Sequence, residues 1–445
     1  MLIYMRSYGC QMNERDSEAM AAALVERGHV MVEDEAVADV LLYNTCSVRE
    51  QAERKAVGKL GILMRLKRER PEIIIGVMGC MAQRRGEDLL RELPHLDFVL
   101  GTEQLHQLPE IVEREAKARS RLSLTGGDHS VLDAMGKHLK DNRISSFISV
   151  MRGCDMFCSY CIVPYVRGRE LSRSPESVVV EAEELVADGV KEITLLGQNV
   201  SAYGLSQNVD VVPDASPFAA LLRRLDAIPG LRRLRFTSPH PWFFNDDLVE
   251  AICSLPKVCD NIHLPLQSGS DAILKRMNRR YGVAKYLDVV AKLKAGMPDV
   301  TFSTDVIVAY PGETEADFAA TRSVMDEVGF DNAYIFKYSP REGTPAATEP
   351  DQLPDAVKEE RNQILLADLA ERTARHNAAM RGRTVEVMAE GVSKRNASRW
   401  TGRTTANQVV VFEPIPGLAP GDLVEVAIQR STPMTLFGAI AGHAR

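Results

Sequence analysis

From Leu2 onward the sequence repeats one pattern, a short apolar run followed by a longer amphipathic stretch, in two successive blocks. In the first block, residues 2–5, 38–43, 73–78 and 97–100 read as strands, and residues 14–27, 49–70 and 84–93 as helices. Strand and helix alternating at this period build right-handed βαβ units on an open parallel sheet. A cysteine follows each of the first three strands: Cys10, Cys46 and Cys80, spaced 36 and 34 residues apart. Ligands of open α/β sheets bind beyond the carboxyl ends of the strands, so these thiols are expected to meet at one point. A free cysteine also packs well as a small apolar residue, but equivalent positions in successive units favour a site. Gly9 and Gly79 stand beside two of the thiols, where a missing Cβ lets backbone approach a bulky inorganic group.

The second block has strand-like runs at residues 147–151, 192–196, 232–237, 261–266, 301–308 and 333–337. Helices are expected near residues 175–188, 217–227, 246–254, 283–294 and 315–328. Such a series fits a parallel barrel or an open part of one, a (β/α)6 partial barrel, with its chemistry in the loops after the strands. A charged helix over residues 356–380 leads to residues 382–441, where runs at 384–389, 408–411, 423–428 and 436–440 suggest a small antiparallel β-barrel. The expected class is therefore α/β, with domains at residues 1–118, 141–375 and 378–443 and a linker at 119–140.

Composition agrees: 45% hydrophobic and 26% charged residues exclude wholesale disorder, collagen and a disulfide miniprotein. No apolar run approaches the ~20 residues of a membrane helix. MLIYMRSYGC has no signal core, so the chain is expected in the cytoplasm and not in a membrane. The net charge of −7 gives no global hint of nucleic-acid binding. From residue 376 on, however, eight Lys/Arg stand against five Asp/Glu, a weak sign of a polyanionic partner.

Cys154-x3-Cys158-x2-Cys161 lies in the first strand-end loop of the second block. A structural zinc site closes with four ligands, and no fourth is evident here. Three thiolates suit three irons of a [4Fe–4S] cluster, for which four cysteines would be the complete set. The fourth iron stays open, and adenosylmethionine could chelate it through its amino and carboxylate groups. Reduction would then break a carbon–sulfur bond and release a deoxyadenosyl radical. Cys253 and Cys259 have no partner motif and read as buried thiols.

Tyr8-Gly9-Cys10-Gln11-Met12-Asn13, Asn44-Thr45-Cys46-Ser47-Val48-Arg49-Glu50 and Gly79-Cys80-Met81-Ala82-Gln83 resemble the N-terminal motifs of the radical adenosylmethionine methylthiotransferases. Arg152-Gly153-Cys154 through Cys161, then Ile162-Val163-Pro164-Tyr165-Val166-Arg167-Gly168-Arg169-Glu170, resembles their radical core. The resemblance covers essentially the whole chain, including a terminal TRAM domain, an RNA-binding barrel. Leu196-Gly197-Gln198-Asn199-Val200, Leu264-Pro265-Leu266-Gln267-Ser268-Gly269-Ser270 and Lys337-Tyr338-Ser339-Pro340-Arg341-Glu342-Gly343-Thr344 narrow it to the bacterial branch acting on N6-dimethylallyladenosine. Two departures stand out: Met156 where Asn is expected, and Ala309-Tyr310 where Gly-Phe is expected before Pro311-Gly312-Glu313-Thr314.

The resemblance implies insertion of a methylthio group at carbon 2 of N6-dimethylallyladenosine at tRNA position 37. Adenosylmethionine would methylate a sulfur of an auxiliary cluster, and a deoxyadenosyl radical would remove the base hydrogen, which is too weakly acidic for a side-chain base. It implies two clusters: a 4Fe–4S radical cluster on Cys154, Cys158 and Cys161, and an auxiliary 4Fe–4S or 3Fe–4S cluster on Cys10, Cys46 and Cys80. Tyr160, Gln198, Asn199, Gln267, Ser268, Ser303 and Asp305 would surround adenosylmethionine, with Gly312 and Glu313 near its adenine. Arg167, Arg169, Lys394, Arg395, Arg399, Arg403 and an exposed Trp400 would meet RNA. His240 reads more readily as a packed or capping residue than as a substrate contact. Implied partners are the anticodon stem-loop, a reductase such as flavodoxin or ferredoxin, and iron–sulfur assembly and sulfur-carrier proteins; the chain is expected to be a monomer. Relatives acting on threonylcarbamoyladenosine or on a ribosomal protein share the architecture, and the narrower motifs disfavour both. A non-catalytic iron–sulfur RNA regulator is the alternative of another class, and the open-iron cysteine spacing speaks against it.

Overall fold

The computed structural model describes residues 1–48, 50–126, 136–205 and 212–444. Strands β1 (Leu2–Ser7), β2 (Val30–Val32), β3 (Val40–Thr45), β4 (Ile74–Gly79), β5 (Phe98–Leu100) and β6 (Leu122–Leu124) form a sheet in the order β2-β1-β3-β4-β5-β6. Every pair is parallel. β3 and β4 are buried along their whole length, as strands covered on both faces must be. Helices α1 (Gln11–Glu26), α2 (Glu50–Glu69), α3 (Cys80–Glu92) and α4 (Leu108–Lys117) supply the cover. One core gathers Leu41, Leu60, Val77 and Leu89, the other Ile3, Met20, Leu42 and Leu108. The strand order reverses between β1 and β3, so the crevice at that switch point opens between Cys10 and Cys46. β2 and β6 escaped the sequence reading because each is a three-residue edge strand. β6 falls within the expected linker; residues 127–135 of that linker, and Arg49 of the second cysteine motif, lie outside the described residues.

Next come β7 (Ser145–Ser149), β8 (Met151–Arg152), α5 (Val163–Arg167), β9 (Leu171–Ser172), α6 (Pro175–Ala187), β10 (Glu192–Leu196), α7 (Pro217–Asp226) and β11 (Arg233–Phe236). They are followed by α8 (Asp246–Ser254), β12 (Asn261–His263), α9 (Asp271–Arg276), α10 (Val283–Gly296), β13 (Thr301–Val308), α11 (Glu315–Val328) and β14 (Asn332–Lys337). Two parallel arcs, β7-β10-β11 and β12-β13-β14, are joined by a bridge between Leu234 and Val258, with β7 and β14 as the open edges of a partial barrel. Side-chain caps at Ser174, Ser216, Asn245, Ser270 and Thr314 start α6, α7, α8, α9 and α11. Each accepts from an otherwise orphaned backbone N–H.

α12 (Asp355–Ala379) leads into a closed barrel of β15 (Thr384–Ser393), β16 (Asn396–Arg403), β17 (Val409–Phe412), β18 (Leu423–Thr432) and β19 (Thr435–Ala444). Four pairings are antiparallel, and the β17–β19 pairing is parallel. This barrel docks at the amino ends of the β11 and β12 strands. Arg233 donates to the Arg403 carbonyl at 2.7 Å and to Glu386 at 2.9 Å, and Thr405 donates to Asp260 at 2.6 Å. The opposite, carboxyl ends of the partial barrel are thus left to the first domain. A buried charge network joins those two: Arg15 on α1 reaches Glu181 on α6 at 3.3 Å, and His138 bridges Glu18 at 3.0 Å and Glu181 at 2.6 Å. Among the described residues no helix is long and apolar enough to cross a membrane.

Candidate functional site

Cys10 precedes α1, Cys46 follows β3 and Cys80 opens α3. Cys46 and Cys80 are fully buried, whereas Cys10 reaches a chamber of about 1950 Å3. Gly9 sits at φ 137°, and a Cβ there would fall 2.3 Å from the Cβ of Cys46. The glycine therefore makes room for the second thiol itself. Asn13, also fully buried, ties the motifs together: its Nδ2 donates to Asn44 Oδ1 and to the Thr45 carbonyl, both at 2.9 Å, and its Oδ1 accepts from Cys10 at 3.2 Å. Arg167, at the end of α5 in the barrel domain, crosses into this knot. Its Nη2 donates to Asp16 at 2.8 Å and to Asn13 at 3.2 Å, while the buried Nη1 has no hydrogen-bond partner. A hydrogen bond with Cys46, reinforced by the Arg167 charge, draws the Cys10 thiol down to about 6 against the opposing effect of burial. Burial pushes Cys80 up, and Arg167 opposes that shift.

Cys154, Cys158 and Cys161 line the same chamber, which is also walled by Cys10, Ser47 and Arg84 of the first domain. Phe157 takes the left-handed region at φ 46° and so wraps the loop tightly. Arg169 holds that loop from outside, pairing with Asp155 at 2.8 Å and covering the Phe157 ring at 5.1 Å. Burial and the neighbouring Cys158 raise Cys161 to about 12. Thiols in this state must shed protons when a metal binds. The short α5 begins just beyond Cys161 and ends at Arg167, and its Val166 packs with Ile162 against Cys80. One five-residue helix thus spans from one trio to the other. Among the described residues no three His, Cys, Asp or Glu side chains converge tightly enough to grip a single ion; a cluster asks for thiols set farther apart, each on its own iron.

Tyr160, Gln198, Asn199, Gln267 and Asp305 line the chamber, each from a strand-end loop or strand. Gln198 Oε1, Asn199 Nδ2 and His240 Nε2 are buried without a hydrogen-bond partner. His240 Nδ1 accepts from the Trp242 N–H at 3.2 Å, so the ring is a cap, and its buried Nε2–H donor is left without a partner. Burial, helped by Arg279 and Arg280, holds His240 well below its ordinary value. Buried polar atoms without partners are rare. One acceptor and two donors around one cavity therefore suit a polar ligand such as adenosylmethionine.

The other expected residues fall in varied settings. Ser268 is buried off the chamber against Thr321 at 3.4 Å, and Ser303 is bonded to His263 at 3.1 Å, while Asp305 and Ile307 of the same strand line the cavity. Gly312 and Glu313 also lie off the chamber, and Glu313 is buried in an ion pair with Arg361 at 3.0 Å, burial raising it to about 7. Arg167 is only 2% exposed and is held by Asp16 at 2.8 Å. Trp400 is half-buried against the small barrel's core, and Arg403 is bound to Glu390 at 3.0 Å and Asn407 at 3.0 Å. Arg399 stands 3.6 Å from Glu413. Lys394 and Arg395 form the exposed turn between β15 and β16, away from the docked end of the hairpin. Cys259 is buried and Cys253 half-buried against the barrel core. The unexpected Tyr310 is fully buried, and its hydroxyl meets Ser159 at 2.9 Å and Glu349 at 2.7 Å. Asn13, Asp16, Arg279 and Tyr281 were missed as site residues. Only the Asn13 spacing within the first cysteine motif hinted at any of them.

Comparison with known proteins matches residues 2–101 to the uncharacterized protein family UPF0004, residues 148–325 to the radical SAM superfamily and residues 378–441 to the TRAM domain. The tRNA-2-methylthio-N(6)-dimethylallyladenosine synthase of Akkermansia muciniphila is 46% identical, over 98% of each chain. The chain belongs to this synthase family. The synthase of Opitutus terrae is 44% identical over 98% of this chain and 96% of its own. The solved radical S-adenosylmethionine methyltransferase TsrM of Kitasatospora setae, with tryptophan and an analogue of the cofactor bound, shares the fold at a TM-score of 0.56 and 12% identity, covering 88% of this chain and 79% of that one. Membership of the radical SAM superfamily implies a four-iron cluster and adenosylmethionine. Three thiols in one loop beside unpartnered polar atoms fit that pair of groups.

Proposed function

We propose that this chain adds a methylthio group to carbon 2 of N6-dimethylallyladenosine at position 37 of tRNA, using two iron–sulfur clusters and adenosylmethionine. The observation that carries the reading is the shared chamber: Cys10 of one trio and all of Cys154, Cys158 and Cys161 line it together. When bound, the groups would supply a carbon-centred radical from adenosylmethionine at the barrel trio and the methylthio sulfur at the first. Cys154, Cys158 and Cys161 would hold the radical cluster and leave one iron free of protein ligands. Cys10, Cys46 and Cys80 would hold the auxiliary cluster; the unpartnered Arg167 Nη1 beside them supports an anionic occupant there. Gln198, Asn199 and His240 offer an acceptor and two donors to orient the cofactor, and Asp305 can accept from its ribose hydroxyls. Ile162, Ile307 and Phe336 give the chamber apolar wall. The substrate is taken as an anticodon stem-loop, the electron as coming from a flavodoxin- or ferredoxin-type reductase, and cluster repair as the work of assembly and sulfur-carrier proteins.

The test is mass spectrometry of tRNA nucleosides from a strain lacking the gene, with and without the chain restored. Dimethylallyladenosine is expected to accumulate in its absence, and the methylthio nucleoside to return on complementation. A methylthio peak that persists in the deletion strain overturns the reading. At the hairpin turn, replacing Lys394 and Arg395 with Ala is expected to weaken tRNA binding alike for every sequence. The slope of log affinity against log salt should fall by about one per lost phosphate contact, as read by titration across a potassium chloride series.

A further inference from the structure

A guanidinium stands beside each cysteine trio, Arg167 at the first and the half-buried Arg279 at the barrel trio. Arg279 follows α9 and lines the chamber. Its Nη1 donates to Cys158 Sγ at 3.3 Å, and its Nε and Nη2 donate to the Tyr281 hydroxyl at 3.3 and 3.2 Å. Tyr281 is 4% exposed, and its hydroxyl is anchored on the Pro265 and Leu266 carbonyls at 3.0 Å each. The neighbouring Asn278, at φ 57°, donates to the Met156 and Phe157 carbonyls at 3.3 and 3.0 Å, so this whole segment is stitched onto the cysteine loop. Among the described residues no carboxylate pairs with Arg279. Its charge is therefore left to act on the thiol it touches.

We propose that Arg279 tunes the cluster held by Cys154, Cys158 and Cys161, acting through the Cys158 sulfur to favour its reduced form. The inference rests on the reading that this trio holds a four-iron cluster. Reduction adds one electron, delivered by a low-potential one-electron protein carrier, and makes or breaks no bond in the protein. The added negative charge is stabilised by a cation fixed at a ligand sulfur in a site partly closed to water; hydrogen bonds to the sulfurs and net charge are the levers that set such potentials. Tyr281 is the brace that stops the guanidinium from swinging to solvent. Arg279 is thus a positioning residue that touches a ligand of the cluster.

The test is a redox titration of the anaerobically reconstituted full chain, followed by electron paramagnetic resonance. The barrel cluster is recognised by the change in its signal when adenosylmethionine is added. In Arg279→Gln the ratio of reduced to oxidised cluster at a fixed potential is expected to fall at least tenfold, about 59 mV for one electron. Arg279→Lys keeps the charge without the fork and should fall less. A Gln variant with full iron and an unchanged ratio overturns the inference. If the Gln variant loses its iron, the Lys variant decides, and loss of iron from both makes Arg279 a structural clamp and ends the tuning proposal. A wild-type chain without any adenosylmethionine-sensitive signal instead removes the cluster reading on which the inference stands.

Discussion

Cys158→Ala is expected to abolish all radical products of adenosylmethionine, leaving deoxyadenosine at background even with a strong reductant. Cys158 is 7% exposed at the centre of its loop, between the thiols of Cys154 and Cys161 and under the Arg279 guanidinium. Two thiols cannot replace three on a cluster that already leaves one iron to the cofactor. The fold has little reason to fail: the substitution removes one sulfur from a small satellite core of Met156, Ala202 and Phe243, while the main barrel core lies elsewhere. A change of that size costs on the order of 1 kcal/mol. Anaerobic iron analysis should therefore show iron retained only by the first trio in a cooperatively folded chain. Chromatography of the reaction mixture supplies the decisive reading, and deoxyadenosine forming at the wild-type rate would refute the assignment.

The placement of the first cysteine trio at strand ends was legible in the sequence because strand-end geometry is a local rule: a thiol just past a buried parallel strand has nowhere to go but the crevice. β3 and β4 are continuous apolar runs, and so they were visible in the sequence. β16 was not, because Asn396-Ala397-Ser398-Arg399 is polar and its apolar content is mostly Trp400, which packs half-buried on the small barrel. Arg167 shows the deeper limit. In sequence it looks like a phosphate hook behind a cluster loop, yet its partner Asp16 lies 151 residues earlier on α1 and is itself buried. No local pattern encodes a contact between two domains. Ser303, Asp305 and Ile307 share a strand face by parity, and His263 reaches both Ser303 and Asp305, yet Asp305 and Ile307 line the cavity and Ser303 does not. Period-two reasoning gave the face and could not give the depth.

Cys46→Ala should separate the two halves of the reaction: reductive cleavage of adenosylmethionine is retained and sulfur insertion is lost. Cys46 is fully buried in the first domain, packed under Gly9, and its Sγ accepts from the Val48 N–H at 3.3 Å. Alanine keeps the Cβ that Gly9 accommodates and removes only the sulfur, so the sheet should hold at a cost of about 1 kcal/mol for the lost hydrogen bond. The barrel trio, its Arg279 and the unpartnered Gln198, Asn199 and His240 all belong to the other domain and keep their surroundings. With dithionite the variant is expected to form deoxyadenosine near the wild-type rate, while mass spectrometry of the tRNA detects no methylthio product. Equal loss of both reactions would mean that the trios are not functionally separate. The short α5 makes that outcome worth testing, because Val166 packs against Cys80 and Arg167 lies among the first trio only a few residues beyond Cys161. If that helix transmitted disorder from one trio to the other, Cys80→Ala, which lies against it, should harm cleavage more than Cys46→Ala does. Comparison of the two variants therefore distinguishes a chamber shared by independent centres from a single coupled unit.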